Sequence, residues 1–186
     1  KEMMALAEDD RAAFYKAFRA HIGHAVATLL RALGRSWSRG AIAPRPVGGK
    51  LGTHFAQLSR SAAVLAFFSD MAFLSLGGGL KRKEMISARL GDILAELYLL
   101  SGALKRFEEE GRPAEDEPLL DLAIAEGLRR MEVAADEILA NLPARPMAWL
   151  MRLVVLPDGK VRRGGTDRQL FKAADVVTAD VLAAMM

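Results

Sequence analysis

Cysteine is absent from the 186 residues. Thiolate catalysis, zinc knuckles and iron–sulfur clusters are thereby excluded, and the chain fits a reducing compartment. Aromatic residues are scarce, at 6%, although apolar residues reach 52%. Alanine, leucine and methionine carry the apolar share, which favours helices over a sandwich or barrel. With 26% charged residues the balance is that of a globular chain and excludes disorder and collagen. The stretch Lys1–Ala20 is charged and amphipathic, so no secretory signal is read there. The first residue is Lys1 rather than Met, and a longer parent protein is expected.

Charge is small in sum, +3, which gives no reason to expect nucleic acid as a partner. It is unevenly placed. Residues 1–60 hold ten Lys/Arg against four Asp/Glu, residues 61–141 nine against fifteen, and residues 142–186 seven against four. Such blocks predict pairing within the chain or between subunits, or a basic face near an anionic surface.

The hydrophobic pattern predicts four long helices. The first starts near the acids Glu8, Asp9 and Asp10, which suit a helix N-terminus, and carries Phe14, Phe18, Ile22, Val26, Leu29, Leu30 and Leu33. Pro44, Pro46, Gly48 and Gly49 form a linker. The second runs from about Leu51 to Leu76. Its stretch Ser61–Leu80 holds one charge, Asp70, and is long enough to test as a membrane span. That central charge and the break at Gly77–Gly78–Gly79 favour a helix buried on all sides instead. The third begins near Lys81 and runs to Glu110. Ile86, Leu90, Ile93, Leu97, Leu100, Leu104 and Phe107 alternate steps of four and three along it, a heptad seam that demands a partner helix. Gly111 and Pro113 stop it, and Pro118 opens the fourth helix, which reaches Asn141.

Beyond Pro143 and Pro146, Met147–Leu156 is a short apolar segment before the turn Pro157–Asp158–Gly159. Leu153–Val155 and Val161 are candidate short strands, and Thr166 is read as the N-cap of a last helix. The expected fold class is all-α: a helical bundle of four long helices over residues 1–141, with a C-terminal extension over 142–186.

Chemistry-bearing motifs are sparse. His21 and His24 share a helix face at i, i+3, but His54 is the sole other histidine, and a structural role is the better reading. Val47–Gly48–Gly49–Lys50 fails the phosphate-loop pattern, since Pro44 replaces its first glycine and Leu51 its Ser/Thr. Arg89, Asp92 and Glu96 flank the seam as an ion-pair network for helix register or subunit pairing, rather than as acid–base machinery. The acids Glu108–Glu110 and Glu115–Glu117 read as a solvated loop. Two regions are candidate anion-facing surfaces. One is Lys81, Arg82 and Lys83 after the triple glycine, which otherwise form a tight turn with solvated cations. The other is Arg145, Trp149 and Arg152, with Arg162 and Arg163, around the apolar segment; packing onto another domain is its alternative.

Several stretches carry a family likeness: Phe18–Arg19–Ala20–His21–Ile22–Gly23–His24, Leu58–Ser59–Arg60, Ser69–Asp70, Leu97–Tyr98–Leu99 and, most specifically, the run from Gly77 to Arg112. Together, over about residues 1–160, they resemble the C-terminal part of the long bacterial acyl-CoA dehydrogenases of fatty-acid β-oxidation. The resemblance implies a parent enzyme that oxidises an acyl-CoA to the trans-2-enoyl-CoA, a glutamate base taking the α-proton while hydride passes to FAD. The base and flavin motifs would lie upstream, so neither a catalytic residue nor a cofactor is carried onto this chain. The end departs from the family pattern. A longer tail is expected after the turn, whereas Gly164–Gly165 leads straight to the last helix, as in a shortened chain or one with a segment missing there.

The resemblance implies a non-catalytic helical appendage that serves subunit contact, as in a homodimer, or peripheral membrane association. Its partners are the upstream flavin domains, and its location is the cytoplasm or the inner-membrane surface. The alternatives are an independent helical module that binds anionic lipid or CoA phosphates through its basic patches, and a small enzyme built on His21, His24 or the Arg89–Asp92–Glu96 cluster.

Overall fold

The computed structural model describes residues 11–185. Among them the regular elements are all helical: α1 (Arg11–Trp37), α2 (Gly49–Leu76), a 3-10 turn (Gly77–Arg82), α3 (Glu84–Glu109), α4 (Glu117–Asn141), α5 (Arg145–Val155) and α6 (Asp167–Ala184). The four long helices fall where the sequence pattern puts them. The predicted start at Glu8–Asp10 lies outside the described residues.

The heptad seam is the spine of the fold. Ile86, Ile93, Leu100 and Leu104 are buried, with Leu90, Leu97 and Phe107 packed against the core beside them. The seam meets α4, the most extensive helix pairing in the molecule, whose buried side is Leu120, Ile124, Leu128, Met131, Ala135 and Ile138. Each fully buried leucine or isoleucine contributes about 1.5–3 kcal/mol of transfer free energy. The turn between them is a Schellman motif: the Arg112 N–H donates to Phe107 O (2.9 Å) and the Gly111 N–H to Glu108 O (3.2 Å), with Gly111 at φ +84°. The same motif ends α1, where Gly40 N–H reaches Arg35 O (2.8 Å) and Arg39 itself takes the left-handed conformation.

α2 is the apolar helix that passes the length and composition test for crossing a membrane. It is packed against α1, α3 and α4, with Leu58, Val64, Phe67 and Phe68 buried. The expectation of burial on all sides is corrected: Phe73 and Leu74, in its last turn, are exposed, because neighbours cover one side of the helix there. α3 also starts three residues later than expected, at Glu84, since Gly77–Arg82 winds into the tighter 3-10 turn first.

Two further expectations fail. Leu153–Val155 is not a strand but the last turn of α5, and Val161 lies in irregular chain. The segment's apolar residues follow a helical period: Ala148, Met151, Val154 and Val155 turn inward together. Leu142 and these residues join the same core as the long helices, and α5 bridges α1 and α4. The acids Glu108–Glu110 are not a loop either. Glu108 and Glu109 end α3 and Glu110 is its C-cap, and they take i, i+4 partners in the Lys105–Glu109 and Arg106–Glu110 pairs, with Arg112 on Glu108.

The last helix opens as expected at Thr166, in a reciprocal capping box. Thr166 Oγ1 accepts from the Gln169 N–H (3.3 Å), and Gln169 Oε1 accepts from the Thr166 N–H (2.9 Å). α6 lies on α4.

Candidate functional site

Three polar constellations hold the helices together, and the charge blocks meet in them. The first lies between α3 and α4. Arg89 Nε donates to Glu137 Oε2 at 2.6 Å, and Arg130 grips Glu96 with two bonds of 2.6 and 3.1 Å. The three residues expected to form an interface network, Arg89, Asp92 and Glu96, do line one groove of about 450 Å³ here. The ion pairs they form run between helices. Arg89 and Glu96 each reach across to α4. Both ends of the groove are thus closed by intramolecular ion pairs, and the Glu96 bonds raise the pKa of the Arg130 guanidinium.

The second is a half-buried triad that no sequence motif announces. Arg60 Nη1 donates to Glu132 Oε1 (3.1 Å), and the Arg162 N–H to Glu132 Oε2 (2.7 Å). Arg60 also reaches Val155 O (3.3 Å), and Arg162 reaches Gln57 Oε1 (2.9 Å). One carboxylate on α4 therefore joins α2 to the irregular segment after α5. Burial lowers the Arg60 pKa, with Glu132 opposing and Arg162 adding to the shift.

The third is a cleft of about 270 Å³ at the start of α2, where the rejected phosphate-loop residues Gly48, Gly49 and Lys50 lie. Lys50 Nζ donates to Glu117 Oε1 (2.9 Å) and to Asp121, and His54 Nε2 stands 2.9 Å from Asp121 Oδ1. Burial lowers the Lys50 pKa, but the bonds to Asp121 and Glu117 outweigh it and the net shift is upward. A flavin diphosphate needs donors that are not already neutralised. Here Lys50 is held between two carboxylates that would face the phosphates, so these residues do not fit that cofactor.

His21 and His24 are exposed on α1, and His24 stands 3.9 Å from Asp70, the charge in the middle of α2. Among the described residues no group of three or more histidines and carboxylates converges to hold a metal.

The residues expected to face anions divide. Arg82 and Lys83 are exposed where α3 begins, after a turn that contains Lys81. Arg145 instead caps α4, its Nη1 donating to Ala140 O (2.8 Å) and, at 3.4 Å, to Leu139 O, where a cation also suits the negative end of the helix dipole. Arg152 pairs with Asp136. Trp149 is exposed, and so are its helix neighbours Leu150 and Leu153. They adjoin Trp37, whose Nε1 donates to Leu153 O (3.1 Å).

The apolar residues left in solvent were not foreseen from their periodicity, which reads the same whether a partner covers them or not. Tyr98 and Leu99 stand out from α3, and Phe171, Val177 and Val181 from α6, with Tyr98 77% and Phe171 72% exposed.

No solved structure matches the chain. A family model described as acyl-CoA dehydrogenase, C-terminal, bacterial type, matches residues 1–183. With nearly the whole sequence matched, and an all-helical fold organised around the Gly77–Arg112 run that carried the resemblance, this chain belongs to the bacterial-type acyl-CoA dehydrogenase C-terminal domain family.

Proposed function

We propose that this domain is the non-catalytic, helical platform of an FAD-dependent acyl-CoA dehydrogenase, used to attach the catalytic part to a second subunit or to a membrane. The parent would convert an acyl-CoA to the trans-2-enoyl-CoA on flavin domains that precede this one in the chain.

The observation that carries this reading is the pairing of a closed core with uncovered apolar faces. Phe67, Phe68, Leu104 and Met151 are almost completely buried, yet large side chains stand in water along α1, α3, α5 and α6. On α6, Leu170, Val177 and Val181 recur at i, i+7 and i+11, one stripe of the helix. Isolated exposed leucines are ordinary, but stripes of them on packed helices mark surfaces that another body covers. The ion pairs described above are engaged in joining helices, which suits a scaffold.

The test uses the isolated chain and, separately, the parent's catalytic part. The chain is expected neither to bind FAD nor to reduce it with an acyl-CoA, and to associate with itself, with the catalytic part or with lipid. Flavin reduction by the isolated chain would overturn the reading.

A further inference from the structure

The uncovered faces differ in charge, and the difference selects a partner for one of them. From Arg11 to Ser69 the sequence holds nine Lys/Arg and no Asp/Glu. All of α1 lies in this stretch. α5 is equally free of acids, within a run from Ile138 to Pro157 that has none. By contrast α3 carries Asp92 and Glu96 near Tyr98, and α6 carries Asp175 and Asp180 near Val177.

On α1, Tyr15, Phe18, Ile22, Val26 and Leu30 are exposed, and at 3.6 residues per turn they cover roughly a third of the circumference. The stripe is set to one side of the packed residues Thr28, Ala32 and Ser36. Arg19 is exposed within the stripe and Lys16 beside it. On α5, Trp149, Leu150 and Leu153 form the side opposite the buried Ala148, Met151 and Val155. The two apolar faces meet at the hydrogen bond from Trp37 to Leu153. Arg152 on α5 and Arg39 just after α1 hold the carboxylates of Asp136 and Asp158.

Both tryptophans of the chain are on this surface and in solvent, Trp37 57% and Trp149 69% exposed. Indole rings with one polar edge settle at the headgroup level of a bilayer, and a basic, acid-free amphipathic helix lies in the same plane. We infer that the α1–α5 face docks on an anionic lipid bilayer, with the tryptophans and leucines at the headgroup boundary and the α1 cations over the lipid phosphates. This rests on the platform reading and assigns its membrane-facing side; the acid-bearing faces of α3 and α6 are left for protein.

The test is tryptophan emission and co-sedimentation of the 186-residue chain with vesicles of phosphatidylcholine alone or mixed with phosphatidylglycerol. Emission should shift to the blue with the anionic vesicles and stay put with the neutral ones. The shift should reverse as salt shortens the screening length from about 10 Å to about 3 Å. Since each basic residue near the surface contributes about fivefold in partitioning, Lys16→Glu with Arg19→Glu should lower binding at least about 25-fold. Leu150→Ser with Leu153→Ser should lower it without changing the helix content, because both side chains are exposed.

Binding that ignores lipid charge overturns the inference, and so does no binding to either vesicle. A blue shift that instead follows protein concentration without lipid, with a dimer mass by light scattering, makes the face a subunit contact. That result removes the lipid assignment and leaves the platform reading standing. A chain that binds no vesicle, forms no dimer and ignores the catalytic part would remove both.

Discussion

Gly127 and Leu100 meet across the α3–α4 interface so closely that a Cβ on the glycine would stand 2.5 Å from Leu100 Cδ1, and as near to Glu96 Oε1. The helix interior thus contains a glycine for the sake of its neighbour. Gly127→Ala should lose about 1–2 kcal/mol in urea unfolding, because overpacking exceeds the gain in helix propensity. Gly102→Ala, on the same pair of helices but with open space around it, should gain about 0.5–1 kcal/mol. Equal effects of the two would mean that the helices are not in contact at Gly127.

Leu104 and Leu94 are both on α3, one fully buried and the other 57% exposed. Leu104→Ala is expected to cost about 2–5 kcal/mol, through lost transfer energy and the cavity left behind. Leu94→Ala should change stability by less than about 0.5 kcal/mol. Thermal melts of the pair would check whether the heptad seam, rather than helix propensity, holds the bundle together.

Glu132 is the shared partner of Arg60 and Arg162. Glu132→Gln leaves two guanidinium groups facing each other in a half-buried site, and a loss of about 3–5 kcal/mol is expected. Replacing the charged partners together, as Arg60→Met with Glu132→Leu, should recover much of that loss. A double variant as unstable as the single one would show that shape, not charge, sets the site.

Glu126 accepts the Gly165 N–H at 2.6 Å and Arg129 Nε at 3.0 Å, and these bonds, the backbone one first, hold its pKa below the ordinary 4.5. A carboxylate depressed in the folded state contributes stability above its unfolded pKa and loses it as pH falls through the folded value. The wild type should therefore exceed Glu126→Gln in stability at neutral pH, and the gap should close in acid, below the ordinary glutamate range. A gap that persisted into strong acid would assign the effect to packing of Gly165 instead.

The long helices were legible because each is written twice, once in its apolar period and once in its punctuation by Gly77–Gly79, Gly111, Pro113 and Pro143. Thr166 was legible as a cap because a capping box is local. The charge blocks announced pairing, and Lys50–Glu117, Arg60–Glu132 and Arg152–Asp136 are that pairing between blocks. Which partners meet was not legible, since Arg60 and Glu132 are 72 residues apart and share no motif. The helical α5 was hidden by Val154, Val155 and Val161, residues whose β-branching weighs toward strand until packing on α1 and α4 overrides it. The α1 stripe was visible as a period but its facing outward was not, because periodicity reports where apolar residues cluster and not what stands opposite them.

The placement of the two indoles also decides how unfolding has to be watched. Trp37 and Trp149 are each more than half exposed in the native state, so denaturation changes their surroundings less than it changes those of the core. Optical melts followed by intrinsic emission would show a small change through a transition that dismantles the whole core. Far-ultraviolet dichroism of the helices is the signal that will see it.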